Sequence, residues 1–167
     1  MSATEIVQKG HSVLRTHART LEQDEIHTRA TQQIIQEMQK ILETQPDGVA
    51  LAAPQIGHAI RVFVVSPRAF RTRKPTEHLV YINPHIIKTS KNRELLDEGC
   101  LSVRGLYGRA QRFTQTTVSA LDEQGHPFTR GASGLLAQIF QHEIDHLNGI
   151  LFDDHATDLQ EYTPPIS

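Results

Sequence analysis

The chain has 167 residues, 38% hydrophobic and 22% charged, with a formal net charge of -2, which fits one soluble domain with a core of its own and excludes disordered, collagenous and membrane-spanning classes. Seventeen Lys plus Arg against nineteen Asp plus Glu are too balanced to steer the chain toward a polyanion, so neither DNA nor a membrane is an expected partner. One Cys against ten His excludes an internal disulfide framework and points to a reducing compartment; with no charged start and apolar core of a signal peptide at residues 1–5, the expected location is the cytoplasm.

No repeat or linker-like block divides the sequence, so a single domain over residues 1–167 is expected. Ile34, Ile35, Met38, Ile41 and Leu42 recur at three-and-four spacing within residues 24–45, an amphipathic helix that Pro46 and Gly48 end. Val62, Phe63, Val64 and Val65 form a short β-branched and aromatic run, and residues 78–82 and 86–88 read as two further strands on either side of Asn83-Pro84. Residues 114–121 alternate around Val118 and Ala120, Asp122-Glu123-Gln124-Gly125 supplies turn chemistry, and 126–129 returns as the second arm of a hairpin. Ser133-Gly134 opens a second helix with Leu135, Leu136, Ile139, Phe140 and Leu147 as its buried stripe, stopped by Asn148-Gly149. Helices at both ends of a strand-rich middle, without regular alternation, give the class α+β. The polar segment from Asp153, ending in Pro164-Pro165, is expected to fray over 155–167.

His142-Glu143-Ile144-Asp145-His146 sets two imidazoles on the late helix, about 40° apart around its axis and about 6 Å along it, within reach of one metal ion. Glu143 lies beside that face, where a carboxylate can take a proton from a polarised water rather than ligate. The bland alternative is a chance string on a solvent face, which this composition produces about 0.04 times per chain; neighbouring Phe140 and Leu147 instead place the pair at the core edge.

A hydrolytic site needs a third protein ligand. A metzincin continuation fails: Gly149 falls in register, but Phe152 stands where the third His belongs, His155 comes too late, and both Met residues, Met1 and Met38, lie upstream. A carboxylate from Asp158 or Glu161 would have to fold back from the short tail. Cys100, in Glu98-Gly99-Cys100-Leu101-Ser102, is either a thiolate ligand in an ordered turn or a small buried hydrophobe.

Three separated motifs occur in order: Gly48-Val49-Ala50-Leu51-Ala52-Ala53-Pro54-Gln55, then Glu98-Gly99-Cys100-Leu101-Ser102, then Gln141-His142-Glu143-Ile144-Asp145-His146, with Tyr81-Ile82-Asn83-Pro84, Ala120-Leu121-Asp122 and Gly134-Leu135-Leu136-Ala137 between them. In this combination the chain resembles the peptide deformylase family from its first helix to Phe152. The resemblance implies mostly antiparallel sheets packed around the C-terminal His-Glu-x-x-His helix, with an amphipathic helix N-terminal to them. It implies hydrolysis of the N-formyl group from the initiator methionine of nascent polypeptides, releasing formate. Cys100, His142 and His146 would then hold the metal, Glu143 would serve as base and acid, and the Gln55 side-chain amide with the Leu101 backbone N–H would receive the oxyanion. Val49, Ala50 and Gly99 would meet an extended substrate, with Ile139, His142 and neighbours of Leu101 bordering a Met-sized pocket. Arg112 falls near the family's peptide path, the plain alternative being an exposed charge at a strand start. The implied ion is Fe2+, with Zn2+, Ni2+ or Co2+ able to substitute.

Two positions depart from the family's pattern. Ala50 replaces a Gly and adds a methyl beside backbone that approaches the peptide, and Arg104 stands where a Pro is common, which is expected to loosen the loop that aims Leu101. Neither removes a ligand or the base, so the expectation is retained activity with altered substrate preference. A non-catalytic binder of N-termini and a metal-independent hydrolase using Cys100 are the competing readings. The basic run Arg68, Arg71, Arg73 and Lys74 is either a contact for ribosomal RNA near the exit tunnel or a solvated loop.

Overall fold

The helical stripe near the N-terminus divides into α1 (Gln23–Ile26) and α2 (Arg29–Glu43) in the computed structural model, which describes residues 5–72, 74 and 76–164. Capping causes the division: the Thr28 hydroxyl accepts a hydrogen bond from the Thr31 N–H, which starts α2 afresh. The stripe itself is buried as the spacing predicts, through Ile35, Met38 and Leu42.

Two antiparallel sheets follow. The larger runs in the order β1 (Ala50–Ala52), β2 (Val62–Val65), β3 (Val80–Thr89), β6 (Gln115–Leu121), β7 (Pro127–Ser133); the smaller runs β4 (Arg93–Gly99), β5 (Leu106–Phe113), β8 (Thr157–Glu161). Side chains alternate across the larger sheet. Ala50, Ala52, Phe63, Val65 and Tyr81 join a core with Leu136, Ile139, Phe140, Ile144 and Leu147 of α3 (Gly134–Leu147). Leu51, Val62, Val64, Val80 and Ile82 join a second core with Ile35, Met38 and Leu42 of α2. The sheet is thus covered on both faces, which is why β2 is an unbroken apolar run rather than an alternating one. The Phe63 and Tyr81 rings stack at 4.7 Å, and Phe140 closes against them from α3.

Asn83-Pro84 does not separate two strands, contrary to the sequence expectation. β3 runs through it with a register shift between Ile82 and His85, and Asn83 adopts a φ of 50°. A bulge accommodates a proline without a donor, and the Asn83 side chain is fixed by a two-way exchange with the Leu21 backbone, each hydrogen bond 2.9 Å long.

The tail also differs from expectation. Residues 157–161 do not fray but pair with β5, Leu106 opposite Glu161 and Arg109 opposite Thr157. All five β8 residues are exposed, so no hydrophobic alternation announces the strand; backbone pairing with an open edge holds it instead. Gly108 makes the approach possible, since a Cβ there would lie 2.7 Å from Leu159 Cδ2 and 2.9 Å from the Thr157 carbonyl oxygen. Among the described residues no helix is long and apolar enough to cross a membrane.

Candidate metal centre

Packing of Phe140, Ile144 and Leu147 onto the sheet fixes the rotation of α3, and this turns His142, Glu143 and His146 toward the turn that follows β4. Cys100 opens that turn, its carbonyl accepting from the Val103 N–H at 3.0 Å. Its sulfur lies 3.2 Å from His146 Nε2, which is itself 3.2 Å from His142 Nε2. The three candidate ligand atoms all fall within 4.8 Å of one another. A sulfur and two imidazole nitrogens facing one another this closely form a donor set suited to a late first-row divalent ion.

The surroundings prepare each donor. Cys100 Sγ accepts from the Ser102 N–H at 3.4 Å and is approached by Gln55 Nε2 at 3.7 Å, contacts that hold the sulfur in place. His142 Nδ1 is hydrogen-bonded to Glu98 Oε2 at 2.9 Å, a contact that orients the ring with Nε2 toward the site. Burial, reinforced by His142, holds the His146 imidazole well below its ordinary value and therefore neutral. Glu98 is gripped by both arms of Arg112 (Nε to Oε1 2.9 Å, Nη2 to Oε2 2.5 Å), and the remaining Arg112 nitrogen reaches Asp145 at 2.7 Å. Burial alone would raise the Glu98 carboxyl, but hydrogen bonds from His142 and Arg112 keep it well below the usual carboxylate range. Arg112 is 5% exposed and is not part of the wall of the cavity that Gln55, Cys100 and Glu143 line. The expected peptide contact and the exposed strand-start charge both give way to a buried ion pair that braces the His142 partner.

Glu143 is buried, its Oε2 lacks a hydrogen-bond partner among the described residues, and burial, opposed by nearby His142, pushes its carboxyl up to about 7. Gln55 is buried beside it in a 3-10 turn, Ala53–Ile56. Its Oε1 accepts from the Ala52 N–H at 2.9 Å, which directs Nε2 toward Cys100 and Ser102. Gln55, Cys100, Leu101, His142 and Glu143 share the wall of one cavity of about 380 Å3 with Val49, Ala50, Gly99 and Ile139. The expected site residues other than Arg112 thus line this cavity or, in the case of His146, lie against Cys100 and His142 beside it.

Two local expectations are corrected here. Arg104 does not loosen the Leu101 loop: its side chain donates to Gln45 Oε1 and lies 3.8 Å from Asp47, while its N–H donates to Gln8 Oε1. Gln8 in turn donates to the Leu101 carbonyl at 2.8 Å. Arg68 is not a freely solvated charge either, because its guanidinium donates to the Gln45 and Gly48 carbonyls at 2.9 and 2.7 Å, fixing the approach to β1. Arg71 and Lys74 are exposed, and Arg73 lies outside the described residues. Sequence reasoning missed Glu98 as a partner for His142, although it sits inside a motif already singled out, and missed Tyr162, which lines the cavity from a tail with no apolar pattern.

A thiol and two imidazoles converging beside a buried carboxyl whose Oε2 has no hydrogen-bond partner among the described residues, in a cavity bordered by the edge strand of one sheet and the turn after an edge strand of the other, define a metal-dependent hydrolase centre. The polypeptide deformylase family model matches residues 3–162. A peptide deformylase of Halothermothrix orenii is 38% identical over 163 residues, covering 96% of this chain and 98% of that protein. One of Chlorobium phaeovibrioides is 40% identical over 125 residues, covering 75% of this chain and 65% of that protein, just under two thirds of its length. The crystal structure of a class I type b peptide deformylase from Acinetobacter baumannii with Met-Ala-Ser bound superposes with a TM-score of 0.82 at 31% identity, covering 92% of this chain and 98% of that one. The chain belongs to the peptide deformylase family, metallohydrolases that act on N-formyl peptides.

Proposed function

We propose that Cys100, His142 and His146 hold a divalent ion and that Glu143 moves the proton as the chain removes formate from N-formylmethionyl nascent peptides. The observation that carries this is the convergence of three donor atoms within 4.8 Å next to a buried Glu143 oxygen with no partner among the described residues. When bound, the ion supplies a water acidic enough to react near neutrality and a Lewis acid for the formyl oxygen. Glu143 would take a proton from the attacking water as the formyl carbon is attacked. The Gln55 Nε2 and Leu101 N–H donors receive the charge that develops on the formyl oxygen. As the C–N bond breaks, Glu143 returns the proton to the leaving amine, and formate and a free N-terminus result.

β1 is the edge strand of its sheet, so Val49 and Ala50 offer backbone to an extended peptide, and Gly99 offers it from the end of β4. Main-chain pairing carries no side-chain preference, which suits an enzyme for many N-termini. That the Acinetobacter relative has been solved with Met-Ala-Ser bound supports a peptide as the substrate. Ala50 packs in the core beneath α3 and also borders the cavity, so its methyl can tune substrate preference without removing a ligand or the base.

The ion proposed is Fe2+, with Zn2+, Ni2+ or Co2+ as substitutes; intrinsic affinity favours zinc over ferrous iron, so supply decides the occupant. The proposed location is the cytoplasm, where the nascent substrate is made. For a contact with ribosomal RNA, Arg71 and Lys74 are the exposed basic side chains of this run among the described residues, and salt-sensitive cosedimentation with ribosomes tests it. Formate release from formyl-Met-Ala-Ser by anaerobically iron-loaded protein tests the whole reading. A chelator should abolish release and fresh ion restore it; release that continues after chelation would instead favour a cysteine hydrolase built on Cys100.

A further inference from the structure

The C-terminal segment brings to the cavity a side chain that neither holds the ion nor touches the reacting atoms. β8 pairs with β5, and the chain continues into Tyr162, whose N–H donates to the Gly105 carbonyl at 2.9 Å. Gly105 turns the chain there with a φ of +85°, a conformation that favours glycine. The Tyr162 ring lies 5.8 Å from that of Tyr107, and the Tyr107 hydroxyl donates to Gln160 Oε1 at 2.8 Å. Backbone and ring contacts thus hold Tyr162 half-buried in the wall of the same cavity as Val49, Leu101, Ile139 and Glu143.

We propose that Tyr162 is a specificity-determining residue that contacts the substrate residues following formyl-methionine and favours an apolar or aromatic side chain there. The inference rests on the deformylase reading above. The ligand cluster and Glu143 fix the formyl end, and the apolar side chains of Val49, Leu101 and Ile139 are at hand for the first side chain. An extended peptide advances about 3.3 Å per residue, so its second and third residues pass the remaining walls, one of which is Tyr162. A phenol presents a flat apolar face and a hydroxyl at little cost in rotamer entropy, a combination suited to varied peptide side chains.

Steady-state kinetics on formyl-Met amide and on formyl-Met-Ala-Phe, with the unsubstituted protein, Tyr162→Ala, Tyr162→Phe and Gly108→Val, test this. Tyr162→Ala should raise KM for the tripeptide about three- to tenfold, leave kcat unchanged and leave formyl-Met amide unaffected, while Tyr162→Phe stays near the unsubstituted protein. Gly108→Val drives β8 away through the 2.7 Å contact with Leu159 and the 2.9 Å contact with the Thr157 carbonyl and should reproduce the Tyr162→Ala pattern. Calorimetric binding of the product peptide Met-Ala-Phe should weaken by the same factor. An unchanged tripeptide KM in both Tyr162→Ala and Gly108→Val, or an equal rise on formyl-Met amide, would overturn the proposal. Absence of formate release by the unsubstituted protein would overturn the deformylase reading itself, and the two failures are thereby told apart.

Discussion

Arg112 and Glu98 show why the donors could be named from the sequence while their supports could not. His142 and His146 are legible because four residues is one helical turn, and Glu143 because it lies between them. Cys100 becomes legible only through its motif, since a lone thiol in a turn has a bland reading too. Arg112 carries no such signal: it sits on β5 with a second arginine, Arg109, and only folding shows its guanidinium turned inward onto Glu98 and Asp145. Truncating it strips the buried Glu98 of its guanidinium partner and leaves His142 Nδ1 and Gln138 Nε2 as its donors. Arg112→Ala should therefore lower stability by about 3–5 kcal/mol, read as a fall in Tm, and weaken metal binding about 10–100-fold because the orienting partner of His142 is freed. A loss confined to KM for long peptides, with Tm and metal content unchanged, would return Arg112 to the peptide path.

At the scale of elements, amphipathic segments were readable and edge segments were not. α2, α3 and the β6–β7 hairpin declare themselves because each buries one face against a sheet or helix. β4, β5 and β8 form a small sheet whose outer residues are largely solvated, so their sequence resembles loop, and β8 is specified by a free backbone edge and by the space Gly108 leaves. Arg104 belongs to the same lesson, since a side-chain tether to Gln45 and Asp47 does the stiffening that a proline would supply through its ring. The turn into β1 is tighter still. A Cβ at Gly48 would lie 2.9 Å from Gln45 Cβ and 3.1 Å from the Cδ1 atoms of Leu42 and Leu101. Gly48→Ala should cost about 1–3 kcal/mol of stability in denaturant unfolding and, by displacing Leu101, lower kcat; unchanged values on both counts would mean the turn relaxes freely.

For the whole molecule, the sheet with α2 on one face and α3 on the other gives the proposed ligands a common platform. α3 supplies core residues and two of the three proposed ligands at once, so ion binding and folding are coupled. Chelation should consequently lower Tm, and saturating ion at a hundred times its dissociation constant should add about 2.7 kcal/mol of stability; a Tm indifferent to the ion would show that the cluster does not bind it in the folded state. The α+β class and the family were visible in the sequence because three motifs come in a fixed order, whereas the closing of the small sheet by the tail depends on backbone pairing that no residue pattern encodes.

The central claim is that Cys100, His142 and His146 hold the ion while Glu143 moves the proton. Metal content and formate release from formyl-Met-Ala-Ser, measured together on anaerobic preparations of the unsubstituted protein and Glu143→Ala, test it most directly. The account predicts equal metal content in the two proteins and a kcat about 10²–10⁴-fold lower in Glu143→Ala. Glu143→Ala that retains full metal and full formate release would contradict it.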